Sequence, residues 1–158
     1  MARTSYAIAL GSNRPHGRHG RPDGVIRAAV AALATLGSVE QISATHRTAA
    51  LGPAGRSFAN AAAILSTELV PPDLLAALKS VEQSFGRRRG RRWGPRVLDL
   101  DIILWSGGTF ASPRLRIPHP QMARRAFVLR PLAEVARDWP VAPARSRVRH
   151  LLARMDRG

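Results

Sequence analysis

Apolar positions along this chain keep time in two rhythms, one of period two and one near period four. Tyr6 to Leu10 is a short apolar run closed by Gly11-Ser12-Asn13, which predicts a buried strand and a turn. Ile26, Ala29, Val30, Leu33 and Leu36 then recur at helical spacing, with Asp23 where a cap belongs and Gly37 where the helix should stop. Val39 to Arg47 reads as a strand of imperfect alternation, and Ala59 to Thr67 as another. Thr48 to Ser57, with its Gly-Pro and Gly, is the loop between them, so the two predict a long-looped antiparallel hairpin. Pro71-Pro72-Asp73 opens a second helix whose apolar face is Leu74, Leu75, Leu78, Val81 and Phe85, and Gly86 ends it. Leu98 to Trp105 is the next strand, Gly107-Gly108 a tight turn, and Pro113 to Pro120 an extended segment. Pro131 begins a short helix through Val135, and Ser146 a last one with Val148, Leu151, Leu152 and Met155 on one face.

Strand, helix, strand, strand, helix, strand is the β-α-β-β-α-β order of a ferredoxin-like α+β fold. The expectation is an antiparallel sheet flanked by helices, with a C-terminal helical extension, in a single domain over residues 1–158. In the strand from Leu98, alternation puts Leu98, Leu100, Ile102 and Leu104 on one face and Asp99 and Asp101 on the other. The two acids are then about 7 Å apart along the backbone, at roughly 3.4 Å per residue. Two carboxylates so close repel, which favours a cationic partner, a bound metal or a raised pKa. Mg²⁺ is commonly held by one or two carboxylates, waters and substrate phosphates, so a D-x-D strand fits a metal–phosphate site. Spacing alone equally allows a solvated face with Arg96 as its counter-ion.

Composition narrows the field. The chain has 158 residues, 45% of them hydrophobic, enough for one core and too apolar for disorder. Cysteine is absent, so disulfides and thiolate chemistry are excluded. The N-terminus shows no charged-then-apolar leader and no apolar run approaches membrane-spanning length, so a cytoplasmic protein is expected. Lysine and arginine number 25 against 10 acids, a net charge of +15, and Lys79 is the single lysine. Such a surface attracts phosphates and polyanions, and arginine's planar fork matches phosphate. The segment Arg14 to Gly24 is a basic loop; its His16 and His19 lack further ligands and read as solvated.

The run Arg92-Trp93-Gly94-Pro95-Arg96-Val97-Leu98-Asp99-Leu100-Asp101-Ile102-Ile103-Leu104 closely resembles the signature of the 6-hydroxymethyl-7,8-dihydropterin pyrophosphokinase (HPPK) family of folate biosynthesis. Gly11-Ser12-Asn13, Arg47-Thr48 with Leu51-Gly52-Pro53, Phe58 with Asn60, and Pro118-His119 with Arg125 and Phe127 follow in the family's order. The resemblance implies transfer of pyrophosphate from ATP to the hydroxymethyl group of the pterin, with release of AMP. It implies Asp99 and Asp101 as ligands of two Mg²⁺ ions and, with Arg87 and Arg96, as catalytic residues. It implies an ATP site of Glu82, Arg87, Arg89, Trp93, Arg96, Arg114, Arg116, His119 and Arg125. The pterin falls to Thr48, Leu51, Phe58, Asn60, Trp93 and Phe127. Two phenyl faces suit a flat heterocycle, and the Asn60 amide offers both donor and acceptor to its edge. In the family the arginine-rich loop closes over the substrates, carrying Trp93. Ala49 and Ala50 stand where the family usually has prolines, and the arginine loop is one residue shorter than in many relatives.

Small-molecule substrates and a monomer are expected. The alternatives are a catalytically weakened relative of the family, left open by its altered loops, and a basic ferredoxin-like module that binds nucleic acid. Such sheets stack bases on displayed aromatics. Aromatics make up only 5% of this chain, which disfavours that reading. No G-x-x-x-x-G-K-[ST] run exists, which disfavours a P-loop phosphotransferase.

Overall fold

Residues 2–13, 20–48, 58–86 and 97–158 are described by a computed structural model. The elements run β1 (Thr4–Ser12), α1 (Pro22–Leu33), β2 (Ser38–Ile42), β3 (His46–Thr48), β4 (Phe58–Thr67), α2 (Pro71–Ser84) and β5 (Asp99–Trp105). A hairpin of β6 (Phe110–Ser112) and β7 (Leu115–Ile117) follows, then a 3-10 turn at Met122–Arg124, α3 (Ala126–Ala136) and α4 (Val148–Arg157). The main sheet has the order β2-β4-β1-β5, with β3 also paired to β4, and the pairings are antiparallel. This is the expected ferredoxin-like arrangement.

Alternation in the central strands builds two cores, one on each face of the sheet. Tyr6, Ile8 and Leu10 of β1, with Ala61, Ala63 and Leu65 of β4, pack against Val25, Ile26, Ala29 and Leu33 of α1 and Leu74 and Leu78 of α2. Ala7 and Ala62, with Ile64, face Val128, Leu129, Leu132 and Val135 of α3 and Val148 of α4. Each fully buried leucine or isoleucine here stabilises the fold by about 2–5 kcal/mol relative to alanine. The helices after β5 therefore cover the face that α1 and α2 leave open. They cover it only in part, and the uncovered part becomes the site.

Several local expectations needed correction. Leu104 does not share a face with Leu98, Leu100 and Ile102. Ala7 pairs with Leu104 while Ile8 pairs with Ile102, so Ile103 is an extra residue on β5 and the alternation reverses beyond it. Leu104 thus joins the α3 side, and Trp105 stacks on Tyr6 with ring centroids 5.9 Å apart. The strand expected over Val39 to Arg47 is two strands. Between them the Ser43 hydroxyl accepts the Ala62 N–H at 2.9 Å, replacing a ladder carbonyl and breaking the run. Within the extended segment Pro113 to Pro120, as expected, Leu115–Ile117 pairs with β6. Pro131 lies inside α3, which starts five residues earlier, at Ala126. α1 is capped by Arg21, with Pro22 in its first turn, and Asp23 instead ion-pairs with Arg47 of β3. The last helix starts at Val148, not Ser146.

Candidate active site

Registers across the sheet bring the candidate residues into one row. Asp99 of β5 pairs with Gly11 of β1, Gly11 with Asn60 of β4, and Asn60 with His46 of β3. The next row is Asp101, Ala9 and Ala62. Asp99, Asp101, Asn60 and Phe58 thus project from the face that α3 covers, and the residues between them are glycine and alanine. That absence of bulk makes a hollow of about 600 Å³, lined by Asp99, Asp101, Asn60, Phe58, Arg125 and Phe127 over a floor of Ala9 and Gly11. Gly11 is needed there: a Cβ on it would sit 3.3 Å from Asn60 Oδ1.

The walls differ in character. Phe58 and Phe127 are each 45% exposed, an unusual state for phenylalanine and one that leaves ring faces available to a flat ligand. Arg125 caps α3 and holds its guanidinium 5.8 Å from the Phe127 ring centroid, a cation–π contact that fixes both at the cavity mouth. Asn60 is buried beneath them, its position set by the ladder on both sides.

The β5 bulge sets His119. The Ile103 carbonyl accepts the His119 N–H at 2.9 Å. The ring Nδ1 in turn accepts the Gln121 N–H at 3.1 Å, so in the neutral imidazole Nε2 carries the proton and is a donor. Burial pushes the His119 pKa down; Asp101 pulls it up and Arg125 lowers it further. His119, Asp101 and Arg125 thus share one electrostatic neighbourhood.

Glu82 sits elsewhere in this scheme. It is buried beneath the outer edge of β5, where its Oε2 accepts the Leu100 N–H at 2.7 Å. Arg114 and Arg116 are exposed on the β6–β7 hairpin and do not line the hollow. Thr48 pairs with Phe58 across the ladder. Leu51, Arg87, Arg89, Trp93 and Arg96, with His16 and His19, lie outside the described residues.

Two contributors escaped the sequence reading. One is the small-residue floor of Ala9 and Gly11, signalled only by the Gly-Ser-Asn run. The other is Glu134 of α3, whose carboxylate accepts the Ala44 N–H at 2.9 Å and pairs with His46. That clasp ties β3, and so the Asn60 end of the row, to the helix carrying Phe127.

Among the described residues no group of three or more His, Cys, Asp or Glu side chains could hold a metal. Asp99 and Asp101 on one cavity wall are therefore a two-carboxylate set. That suits a hard cation completed by water and phosphate oxygens, and does not suit a closed zinc-type cage.

Known proteins give a consistent picture. The family model for 7,8-dihydro-6-hydroxymethylpterin-pyrophosphokinase (HPPK) matches residues 7–137. A 2-amino-4-hydroxy-6-hydroxymethyldihydropteridine pyrophosphokinase of Synechocystis sp. is 46% identical over 116 residues, covering 72% of this chain and 60% of the relative. The protein of that name from Pseudomonas aeruginosa is 44% identical over 134 residues, covering 83% of this chain and 80% of the relative. That from Methylorubrum extorquens is 39% identical over 156 residues, covering 97% and 94%. The crystal structure of an HPPK-DHPS in complex with substrates superposes with a TM-score of 0.76 at 10% identity, over 98% of this chain and 45% of that one, which supports the fold. No helix among the described residues is long and apolar enough to cross a membrane. On this match, this chain belongs to the HPPK family.

Proposed function

We propose that this chain catalyses transfer of the β,γ-pyrophosphoryl group of ATP to the hydroxymethyl oxygen of 6-hydroxymethyl-7,8-dihydropterin, releasing AMP in folate biosynthesis. One observation carries the reading: a carboxylate pair and two exposed phenyl rings line the same hollow, in a chain of this family. Within that one cavity the carboxylates suit a magnesium–triphosphate group and the rings a bicyclic heterocycle.

Asp99 and Asp101 are assigned two Mg²⁺ ions, bound together with the triphosphate. When bound there, the ions would supply neutralisation of the phosphate charge. The chain's own groups do the rest. Phe58 and Phe127 sandwich the pterin, and Asn60 takes its amide and amine edge. Thr48 and Leu51 contribute backbone groups of their loop. Asp101 accepts the proton of the attacking hydroxyl, whose oxygen bonds to the β-phosphorus as the bond between that phosphorus and the α,β-bridging oxygen breaks, its electron pair leaving with AMP. His119, donating from Nε2, and Arg125 hold phosphate oxygens through charged and polar hydrogen bonds. Arg87, Arg89 and Arg96 are assigned to the same oxygens, Arg87 and Arg96 as catalytic groups. Arg114 and Arg116 are assigned to the rim of the nucleotide site. Trp93 is assigned, by resemblance, to both the nucleotide and the pterin. The monomer is proposed as the acting unit.

The test is product identity. The protein is incubated with Mg²⁺, ATP and 6-hydroxymethyl-7,8-dihydropterin. AMP should appear in equal amount with the pterin diphosphate. Stoichiometric ADP would mean ordinary kinase chemistry, and no nucleotide product would end the proposal.

A further inference from the structure

Among the described residues, Glu82 is the single charged side chain in the buried class, at 4% exposure. A carboxylate taken out of water is costly unless its oxygens find donors. Glu82 has found an unusual one. Its Oε2 accepts the backbone N–H of Leu100 at 2.7 Å, while its Oε1 stands 3.5 Å from Lys79 Nζ without a hydrogen bond. Leu100 is the residue between Asp99 and Asp101. Among the described residues β5 is the last strand of the sheet order, so an amide on its outer side has no ladder partner among them. The Glu82 carboxylate stands in for that missing strand at the peptide that spaces the two acids.

Resting on the proposed function, we propose that Glu82 is a positioning residue for the metal–triphosphate site and makes no contact with the nucleotide. Its bond to Leu100 fixes the twist of β5, and with it the spacing at which Asp99 and Asp101 meet their cations. Mg²⁺ demands near-ideal octahedral geometry, so a few tenths of an ångström at this peptide weaken the site more than they weaken the fold. The family resemblance implied ATP contact for Glu82; its burial and its bond to a backbone amide argue for action through β5 instead.

Two variants separate reach from charge. Glu82→Gln keeps an acceptor oxygen at the same reach and loses the charge. Glu82→Asp keeps the charge and withdraws the oxygen by one methylene. Thermal unfolding checks that each is folded at the assay temperature; should Glu82→Asp fail this, Glu82→Ala takes its place at lower temperature. Two readouts follow: hydrogen exchange of the Leu100 amide in metal-free protein, and calorimetric binding of α,β-methylene-ATP with and without Mg²⁺. Glu82→Gln should keep Leu100 protection and stay within about threefold of wild type in Mg²⁺-dependent binding. Glu82→Asp should lose Leu100 protection by tenfold or more and Mg²⁺-dependent affinity by a similar factor, with metal-free binding unchanged. Equal Mg²⁺-dependent binding in Glu82→Asp and wild type overturns the inference. So does a Glu82→Gln protein that binds nucleotide poorly while Leu100 stays protected, since that marks direct contact. Wild-type protein without Mg²⁺-dependent binding overturns the functional reading itself, and the Leu100 exchange still judges the contact.

Discussion

Gly11 offers the sharpest prediction because a single added methyl has one well-defined neighbour. Gly11 sits in the row between Asp99 and Asn60, and a Cβ there lies 3.3 Å from Asn60 Oδ1. That is closer than an ordinary contact, so in Gly11→Ala the buried amide must shift by a few tenths of an ångström. The strand backbone at Gly11 is extended, so alanine costs no backbone strain, and unfolding should move little. Asn60 is assigned the pterin edge, and a misaligned amide forfeits about one neutral hydrogen bond, roughly 1 kcal/mol or fivefold in affinity. AMP release, measured with ATP saturating and pterin varied, should show KM for the pterin raised about fivefold. Turnover at saturating pterin should stay near that of wild type, since neither acid is touched. A Gly11→Ala protein with unchanged KM, or with turnover lost at unchanged KM, would refute the placement of Asn60 on the pterin.

Other outcomes follow from the same geometry. Asp99→Ala and Asp101→Ala should each lose turnover by roughly a hundredfold or more while unfolding near the wild-type temperature; ordinary steady-state rates in either would remove the metal role. Glu134→Ala loses the acceptor for Ala44 N–H and the His46 pair, costing about 1 kcal/mol after allowing for their exposure. For a chain of this size that lowers Tm by about 2–4 °C, and an unchanged Tm would show the clasp to be idle. His119 carries a pKa pressed below its ordinary value of 6.5 by burial. The unfolded chain therefore takes up the proton first as pH falls, so this group's share of stability is present above 6.5 and is lost as pH drops through the folded value. Unfolding of His119→Gln followed between pH 7 and 5 should show a flatter dependence than wild type; identical slopes would contradict the assignment.

The strand and helix order was readable because each central element keeps one period and ends in Gly or Pro. Tyr6 to Leu10, Ala59 to Thr67 and Pro71 to Phe85 all fold within a few residues of their expected bounds. What the pattern concealed was register. The extra residue at Ile103 changes no residue type, yet it reverses Leu104 and Trp105 and turns a carbonyl toward His119. Ser43 likewise splits a strand through its side chain, which no period records. At the site, Asp99, Asp101, Phe58, Asn60, Arg125 and Phe127 were singled out by resemblance, and they line a common cavity. Their being neighbours depends on pairings across β3, β4, β1 and β5, which sequence spacing does not contain. Glu82 was assigned to the nucleotide by resemblance, whereas its burial against β5 is a tertiary fact.

The account turns on where divalent cations bind relative to the two acids and the two rings. Crystals grown with Mn²⁺, α,β-methylene-ATP and 6-hydroxymethyl-7,8-dihydropterin answer that by anomalous scattering. Two peaks at roughly 2.1–2.2 Å from carboxylate oxygens of Asp99 and Asp101, with the pterin between Phe58 and Phe127, are the predicted result. Metal and nucleotide bound away from Asp99 and Asp101, with those carboxylates left in solvent, would contradict it.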